Sequence, residues 1–415
     1  MAVSTTSITS APDPSICGET VTFTATVSAV PPDTGTPTGT VTFIISDDGP
    51  SIVAPLDASG QAQATVDDLS VGVHQAIAVY SGDEEFDPSS SPLDNHTVNA
   101  ADTTLDVTAT PDPSVCGESV ELCATATIDP PGSGIPTGTV TFTGPGGFSE
   151  TATLDVDGTA CVTTTELVTG TVTADYEGDD CSGPATATTT VTVDQGTSTT
   201  TVTAVPDPSV CGETVQLCAT VAVDPPGSGI ATGTVTFTGP GGLNETATLD
   251  ATGQACITTA ELATGTVTVT VTYGGDTCVA GSSGSVAVTV NQAATTTVLT
   301  PIDPSVCGET VQLCATVTID PPGSGIPTGT VTFTGPGVNE TATLDATGQA
   351  CVTTTTLESG TVTATYLGDT CAAGSSDTAE AVVDAADTTT TVTADPDPSV
   401  CGESVEICAT VTTTP

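Results

Sequence analysis

From residue 120 to residue 128 the chain alternates without a break: Val120, Leu122, Ala124, Ala126 and Ile128 are apolar, and Glu121, Cys123, Thr125 and Thr127 stand between them. A period of two puts every second side chain on one face, the signature of a strand with one buried side. Between residues 101 and 195 the same reading gives strands A (103–110), B (119–128), C (138–143), D (151–154), E (159–164), F (171–176) and G (185–193). Turn sequences such as Asp129-Pro130-Pro131-Gly132 and Asp155-Val156-Asp157-Gly158 separate them. Seven short strands in one such stretch predict an all-β, immunoglobulin-like sandwich in preference to a barrel.

The pattern recurs. Pro-Ser-Val-Cys-Gly-Glu, with Ile for Val in its first copy, is centred on Cys17, Cys116, Cys211, Cys307 and Cys401. Thr-Gly-Thr-Val-Thr-Phe begins at Thr38, Thr137, Thr232 and Thr328, and Tyr-x-Gly-Asp begins at Tyr80, Tyr176, Tyr273 and Tyr366. Self-similarity at a fixed period marks a tandem array. The predicted repeats are 1–100, a divergent N-terminal cap, then 101–195, 196–292 and 293–386, with strands A and B of a fifth at 387–415. Such repeats are expected to join head to tail in a rod, about 150 Å long for four in series at strand dimensions.

These motifs, with Leu-Asp-Ala-x-Gly-Gln-Ala before strand E, resemble the bacterial Ig-like (Big) domain repeats of surface proteins. The likeness covers all four complete repeats. It is closest in the first, at Gly72-Val73-His74 and from Tyr80 to Phe86, and the later repeats depart by gaining cysteines. The resemblance implies an extracellular spacer or adhesive stalk and brings no catalytic residues with it.

Composition narrows the partners. Lys plus Arg is 0 and Asp plus Glu is 50, a formal net charge of -50. Phosphate neutralisation needs basic side chains, so nucleic acid and anionic membranes are excluded as partners. The same absence removes every trypsin-type cleavage site. The expected partners are neighbouring repeats and other copies of the chain. Aromatic residues make up 3% and Trp is absent, so each core must be thin. No apolar run reaches a membrane span, and Met1-Ala2-Val3-Ser4 opens without the basic and apolar regions of a secretion signal. The expected location is nevertheless extracellular, at a cell or spore surface, because fifteen regularly spaced cysteines imply an oxidising compartment.

Six residues separate Cys116 from Cys123, with no Cys-x-x-Cys or histidine partner, which favours disulfides over zinc. Within repeats, B–E staples are expected: Cys123 with Cys161, Cys218 with Cys256, and Cys314 with Cys351. The first repeat has Thr24 and Gln63 at these places, so both members vanish together. The A–B turn and the F–G loop lie at opposite ends of an Ig sandwich, too far apart to bond within one domain. The remaining bridges are therefore expected between repeats: Cys17 to Cys181, Cys116 to Cys278 and Cys211 to Cys371. Cys307, Cys401 and Cys408 are left over, with partners expected beyond residue 415.

Other candidates are weaker. His74 and His96 are the only histidines. His74 reads as an exposed strand residue, and no oriented partner or pocket marks a general base. Asp179 with Asp180, or the recurrent Asp112, Asp207 and Asp303, offer carboxylates for calcium, but no Asp-x-Asp-x-Asp-Gly loop appears; no other cofactor is expected. Asn95, Asn244 and Asn339 head glycosylation sequons. The expected function is a non-enzymatic, disulfide-stapled stalk or fibre appendage. The alternative is an adhesin presenting a binding tip or loops, although the loops lack the aromatic and Arg anchors that dominate interfaces.

Overall fold

In repeat 2, strand A (Thr103–Thr110) pairs antiparallel with B (Val120–Ile128), and B pairs with E (Thr159–Thr164), giving a three-stranded sheet ordered A-B-E. The computed structural model in which this is seen describes residues 1–46 and 49–414. The second sheet contains C (Thr139–Thr143), F (Gly170–Tyr176) and G (Ala185–Val191). After Thr110 the run Pro111-Asp112-Pro113 withdraws two N–H donors, so the ladder between A and B stops. The chain then crosses to the other sheet as A′ (Ser114–Val115), parallel to Val193–Asp194.

The two inner faces follow the alternation in the sequence. Val120, Leu122, Ala124, Ala126 and Ile128 are all buried. Lacking Trp, each core is built around one Phe from strand C and one Tyr from strand F: Phe43 and Tyr80, Phe142 and Tyr176, Phe237 and Tyr273, Phe333 and Tyr366, all buried. Each tyrosine hydroxyl donates to the carbonyl of the Thr that opens Thr-Gly-Thr-Val-Thr-Phe, at 2.7 to 3.0 Å. The ring fills the core while its polar tip is satisfied at the sandwich end.

One strand sits elsewhere than expected. Segment 151–154, read as D, belongs to a strand at Ser149–Thr153 that pairs with C and not with E, so it is a C′ strand. A tight Pro-Gly-Gly turn at Pro145–Gly147 joins it to C, and a hairpin keeps its strands on one sheet. The sheets are therefore A-B-E and C′-C-F-G.

The chain divides into two compact units, residues 1–196 with 225–229, and residues 197–224 with 230–415. The first holds repeats 1 and 2. The second holds repeats 3 and 4 and a hairpin of Asp387–Asp395 with Glu406–Thr414.

Candidate functional site

The cysteines occupy two places in the repeat. On the outer face of A-B-E, Cys123 stands directly opposite Cys161, Cys218 opposite Cys256 and Cys314 opposite Cys351. Each pair is bonded, with Cα atoms 4.2, 4.1 and 4.2 Å apart. These bridges lie outside the core because the alternation that buries Leu122 and Ala124 turns Cys123 outward.

The second place joins successive repeats. Cys17, just after strand A′ of repeat 1 (Ser15–Ile16), is bonded to Cys181 in the F–G loop of repeat 2, Cα to Cα 5.5 Å. Cys211 is bonded in the same way to Cys371, at 5.4 Å, between repeats 3 and 4. Cys181 packs against the core of repeat 1, where Cys17 is buried. Cys116 and Cys278 are disulfide-bonded as well. Cys307, Cys401 and Cys408 are free and exposed.

A second contact accompanies each of these bridges. The Ser133 hydroxyl, in the B–C loop of repeat 2, donates to the carbonyl of Gly18, the neighbour of Cys17. Ser324 donates likewise to Gly212 beside Cys211. Gly18 has φ of +76°, and a Cβ there would run into the Ser133 main chain. Glycine is needed twice over, for its backbone conformation and for the approach of the next repeat.

The Tyr-x-Gly-Asp motif builds the loop that carries the second cysteine. Asp179 Oδ2 accepts from Thr137 N and Oγ1, both at 2.7 Å, tying the F–G loop to the B–C loop. Its Oδ1 accepts from Cys181 N at 2.9 Å and Ser182 N at 2.6 Å. Asp276 and Asp369 repeat the arrangement on Cys278 and Cys371. Partial burial would raise these carboxyls. The hydrogen bonds overcome it, holding Asp369 at about 2 and Asp179 and Asp276 well below the ordinary carboxylate range.

Comparison with known proteins decides the family. The bacterial Ig-like domain (group 3) model matches four times, at residues 8–99, 107–194, 202–291 and 297–384. The chain belongs to that family. No curated protein matches it in sequence. Among solved structures, a tetra-tandem repeat from the extending region of a large adhesion protein is 21% identical, covering 92% of this chain and 98% of its own, with a TM-score of 0.39. The Escherichia coli adhesin FdeC is 18% identical over 69% of this chain and 96% of its own, TM-score 0.23. An I-band fragment of titin is 13% identical, over 68% and 98%, TM-score 0.30.

Within the first bacterial Ig-like repeat one histidine departs from expectation. His74 is buried, not exposed, because it occupies an inward position of strand F (Gly72–Tyr80) along with Ala76, Ala78 and Tyr80. Its cross-strand partner is His96 on strand G. The later repeats fill this pair of places with Val172 and Thr189, Val267 and Val288, and Val362 and Ala379. His96 Nε2 lies 2.7 Å from Ser15 Oγ, and its Nδ1 lies 3.5 Å from Asp13 Oδ1. The set has the composition of a catalytic triad, but Ser15 and His96 are 0% exposed. Ser114, Ser209 and Ser305 hold the serine's place on strand A′ in the other bacterial Ig-like repeats. The hydroxyl belongs to the architecture of the A′ strand, and as folded it is closed to a substrate.

Two of the remaining acidic candidates, Asp112 and Asp207, have structural partners. Asp112 accepts from Thr192 N, directly after strand G, and Asp207 from Thr289 N on strand G of repeat 3, both at 2.9 Å. These bonds brace the A-to-A′ crossover. Among the described residues, one cluster has metal-ligand spacing, Glu121 with Cys123 and Cys161, and its two sulfurs are bonded to each other. Asn95, Asn244 and Asn339 are exposed. No helix of the described residues is long and apolar enough to cross a membrane.

Proposed function

We propose that this chain is a non-enzymatic structural spacer, a disulfide-stapled segment of an extracellular stalk or fibre. The observation that carries the reading is the cystine bridging successive repeats, Cys17–Cys181 in one unit and Cys211–Cys371 in the other. Repeats held only by a linker swivel by default. A covalent bond beside the linker restricts that swivel and gives tension a second path from one repeat to the next. A protein whose task was to offer loops to a ligand would gain little from such staples, whereas one that must hold length and direction gains directly. The net charge of -50 works in the same sense, resisting collapse and unspecific lateral sticking. In a fibre the partners are other copies of the chain, at a cell or spore surface.

Electron microscopy of the full chain tests the reading. The oxidised protein should give a narrow distribution of angles between repeats 1 and 2 and between repeats 3 and 4. A variant carrying Cys17→Ser, Cys181→Ser, Cys211→Ser and Cys371→Ser should broaden both without unfolding the repeats. Equal distributions for the two proteins would remove the basis for a stapled spacer.

A further inference from the structure

The aspartate of Tyr-x-Gly-Asp recurs in all four repeats, yet only three of the loops it shapes carry a cysteine. In repeat 1, Asp83 accepts from Thr38 N and Oγ1 at 2.8 and 2.7 Å and from Glu85 N and Phe86 N at 2.8 and 2.7 Å. Glu85 stands where Cys181 and Cys371 stand later, the second residue after the aspartate. The cysteine thus occupies the first of two adjacent loop positions whose N–H groups are held by a carboxylate that also grips the B–C loop.

Its carbonyl is held too. Ala101 N donates to Cys181 O at 2.8 Å, and Ala293 N donates to Cys371 O at 2.8 Å. Both main-chain polar groups of Cys181 and of Cys371 are therefore fixed from within their own repeats. On the other side of the bond, Cys17 N donates to Asn99 O at 2.9 Å and Cys211 N donates to Asn291 O at 2.8 Å. The two sulfurs of each bridge are carried on backbone that is already ordered.

We infer that Asp179 and Asp369 are positioning residues for the disulfides between repeats: each presets its F–G cysteine so that the thiol faces the A′–B cysteine of the preceding repeat before the bond exists. Asp276 holds the main-chain N–H of Cys278 in the same way, at 2.8 Å. The physical basis is effective concentration. Closing a bond between ordered groups costs less entropy than closing it from a mobile loop, so the clamp favours the disulfide over the dithiol. The B–E staples need no such device, because a two-strand ladder already sets Cys123 opposite Cys161. The inference rests on the stapled-spacer reading and adds the residues that make the staple form.

The test is a redox titration of the full oxidised chain in mixtures of reduced and oxidised dithiothreitol. Each reduced bridge takes two electrons and two protons from one dithiothreitol, which closes to its cyclic disulfide. Acid quenching, alkylation of free thiols and peptic mapping then report every bridge separately. In Asp179→Asn the Cys17–Cys181 equilibrium should move toward the dithiol by about tenfold, ~30 mV for a two-electron couple. Cys123–Cys161, in the same repeat, should stay within about twofold, since no clamp holds it. Asp369→Asn should act likewise on Cys211–Cys371 and spare Cys314–Cys351. Asp83→Asn, which cuts the same clamp in a loop without a cysteine, should move neither. An unchanged Cys17–Cys181 midpoint, or equal shifts of both bridges in the substituted repeat, would overturn the assignment. If Cys17–Cys181 were absent from the parent protein, the spacer reading itself would fail, a separate outcome.

Discussion

His74 and His96 face each other across strands F and G of repeat 1, both turned into its core. Burial pushes the His96 imidazole below its ordinary value of 6.5, against the opposing pull of Asp13, Asp94 and Glu19 and with the help of His74. When a base titrates lower in the folded state, the unfolded chain binds more protons as pH falls, so stability rises with pH and is lost on acidification. Repeat 1 should weaken as pH drops through about 6.5, while repeats without histidine keep their stability there. Each complete repeat has a single tyrosine, so fluorotyrosine NMR during urea unfolding reads repeats individually. The Tyr80 transition should move to lower urea between pH 7 and 5, and His74→Val with His96→Val should abolish that movement. A Tyr80 midpoint that ignores pH in the parent protein would refute the prediction.

Replacing Cys123 by Thr and Cys161 by Gln gives repeat 2 the residues that repeat 1 already carries there, Thr24 and Gln63. In repeat 1 these lie opposite each other, and Gln63 Nε2 donates to Thr24 Oγ1 at 3.4 Å. The double variant should therefore fold without strain. Losing a bridge that spans 38 residues should cost about 3 to 4 kcal/mol in the chain-entropy model. The Tyr176 transition should shift to lower urea by that amount. A shift below about 1 kcal/mol would mean that residual structure already confines the unfolded loop.

Strand alternation made the buried faces legible, since inward and outward positions follow from a period of two wherever one side is packed. The same rule could have placed His74: Ala76, Ala78 and Tyr80 share its parity on strand F and all are buried. Treating histidine as a polar, outward residue overrode the register. The C′ strand was illegible for another reason. Residues 149–153 read Ser-Glu-Thr-Ala-Thr and are mostly exposed, so no apolar alternation assigns them to C or E, and the tight Pro145–Gly147 turn sets them beside C. The aspartate clamp was visible as a repeated motif, but its bonds to Thr137 and Cys181 span two loops that only the fold brings together.

Gly18→Ala should disturb the contact between repeats 1 and 2 and leave each sandwich intact. Two costs combine there: an L residue at φ of +76°, about 1 kcal/mol, and a Cβ driven into the Ser133 main chain. Gly402 separates them, since its φ is +92° and nothing lies within 4 Å of the Cβ position. Hydrogen exchange should speed up around residues 17–19 and 131–134 in Gly18→Ala and stay unchanged in strand B of repeat 2. Gly402→Ala should produce only a local effect. Similar behaviour of the two variants would show that the Ser133 contact does not matter to the junction.

Acid should act on the later repeats through the aspartate clamps, and at a lower pH than it acts through His96 in repeat 1. Partial burial works to raise the Asp369 carboxyl, but hydrogen bonds from Thr328, Ala372 and Cys371 hold it at about 2, against an ordinary 3.8. Asp179 and Asp276 are lowered in the same sense. For an acid whose folded pKa is depressed, the unfolded chain takes up the proton first as pH falls. The clamp's contribution is then complete above about 4 and disappears as pH falls through the folded value. Acidification should proceed in two stages: the Tyr80 signal weakens first, and the Tyr176, Tyr273 and Tyr366 signals hold until the pH falls below about 4. Asp369→Asn removes the titrating group from repeat 4. Its Tyr366 transition should start from a lower urea midpoint at pH 7 and change less between pH 4 and 2 than that of the parent. Equal acid sensitivity in the two proteins would place the titration of repeat 4 on carboxylates other than the clamp.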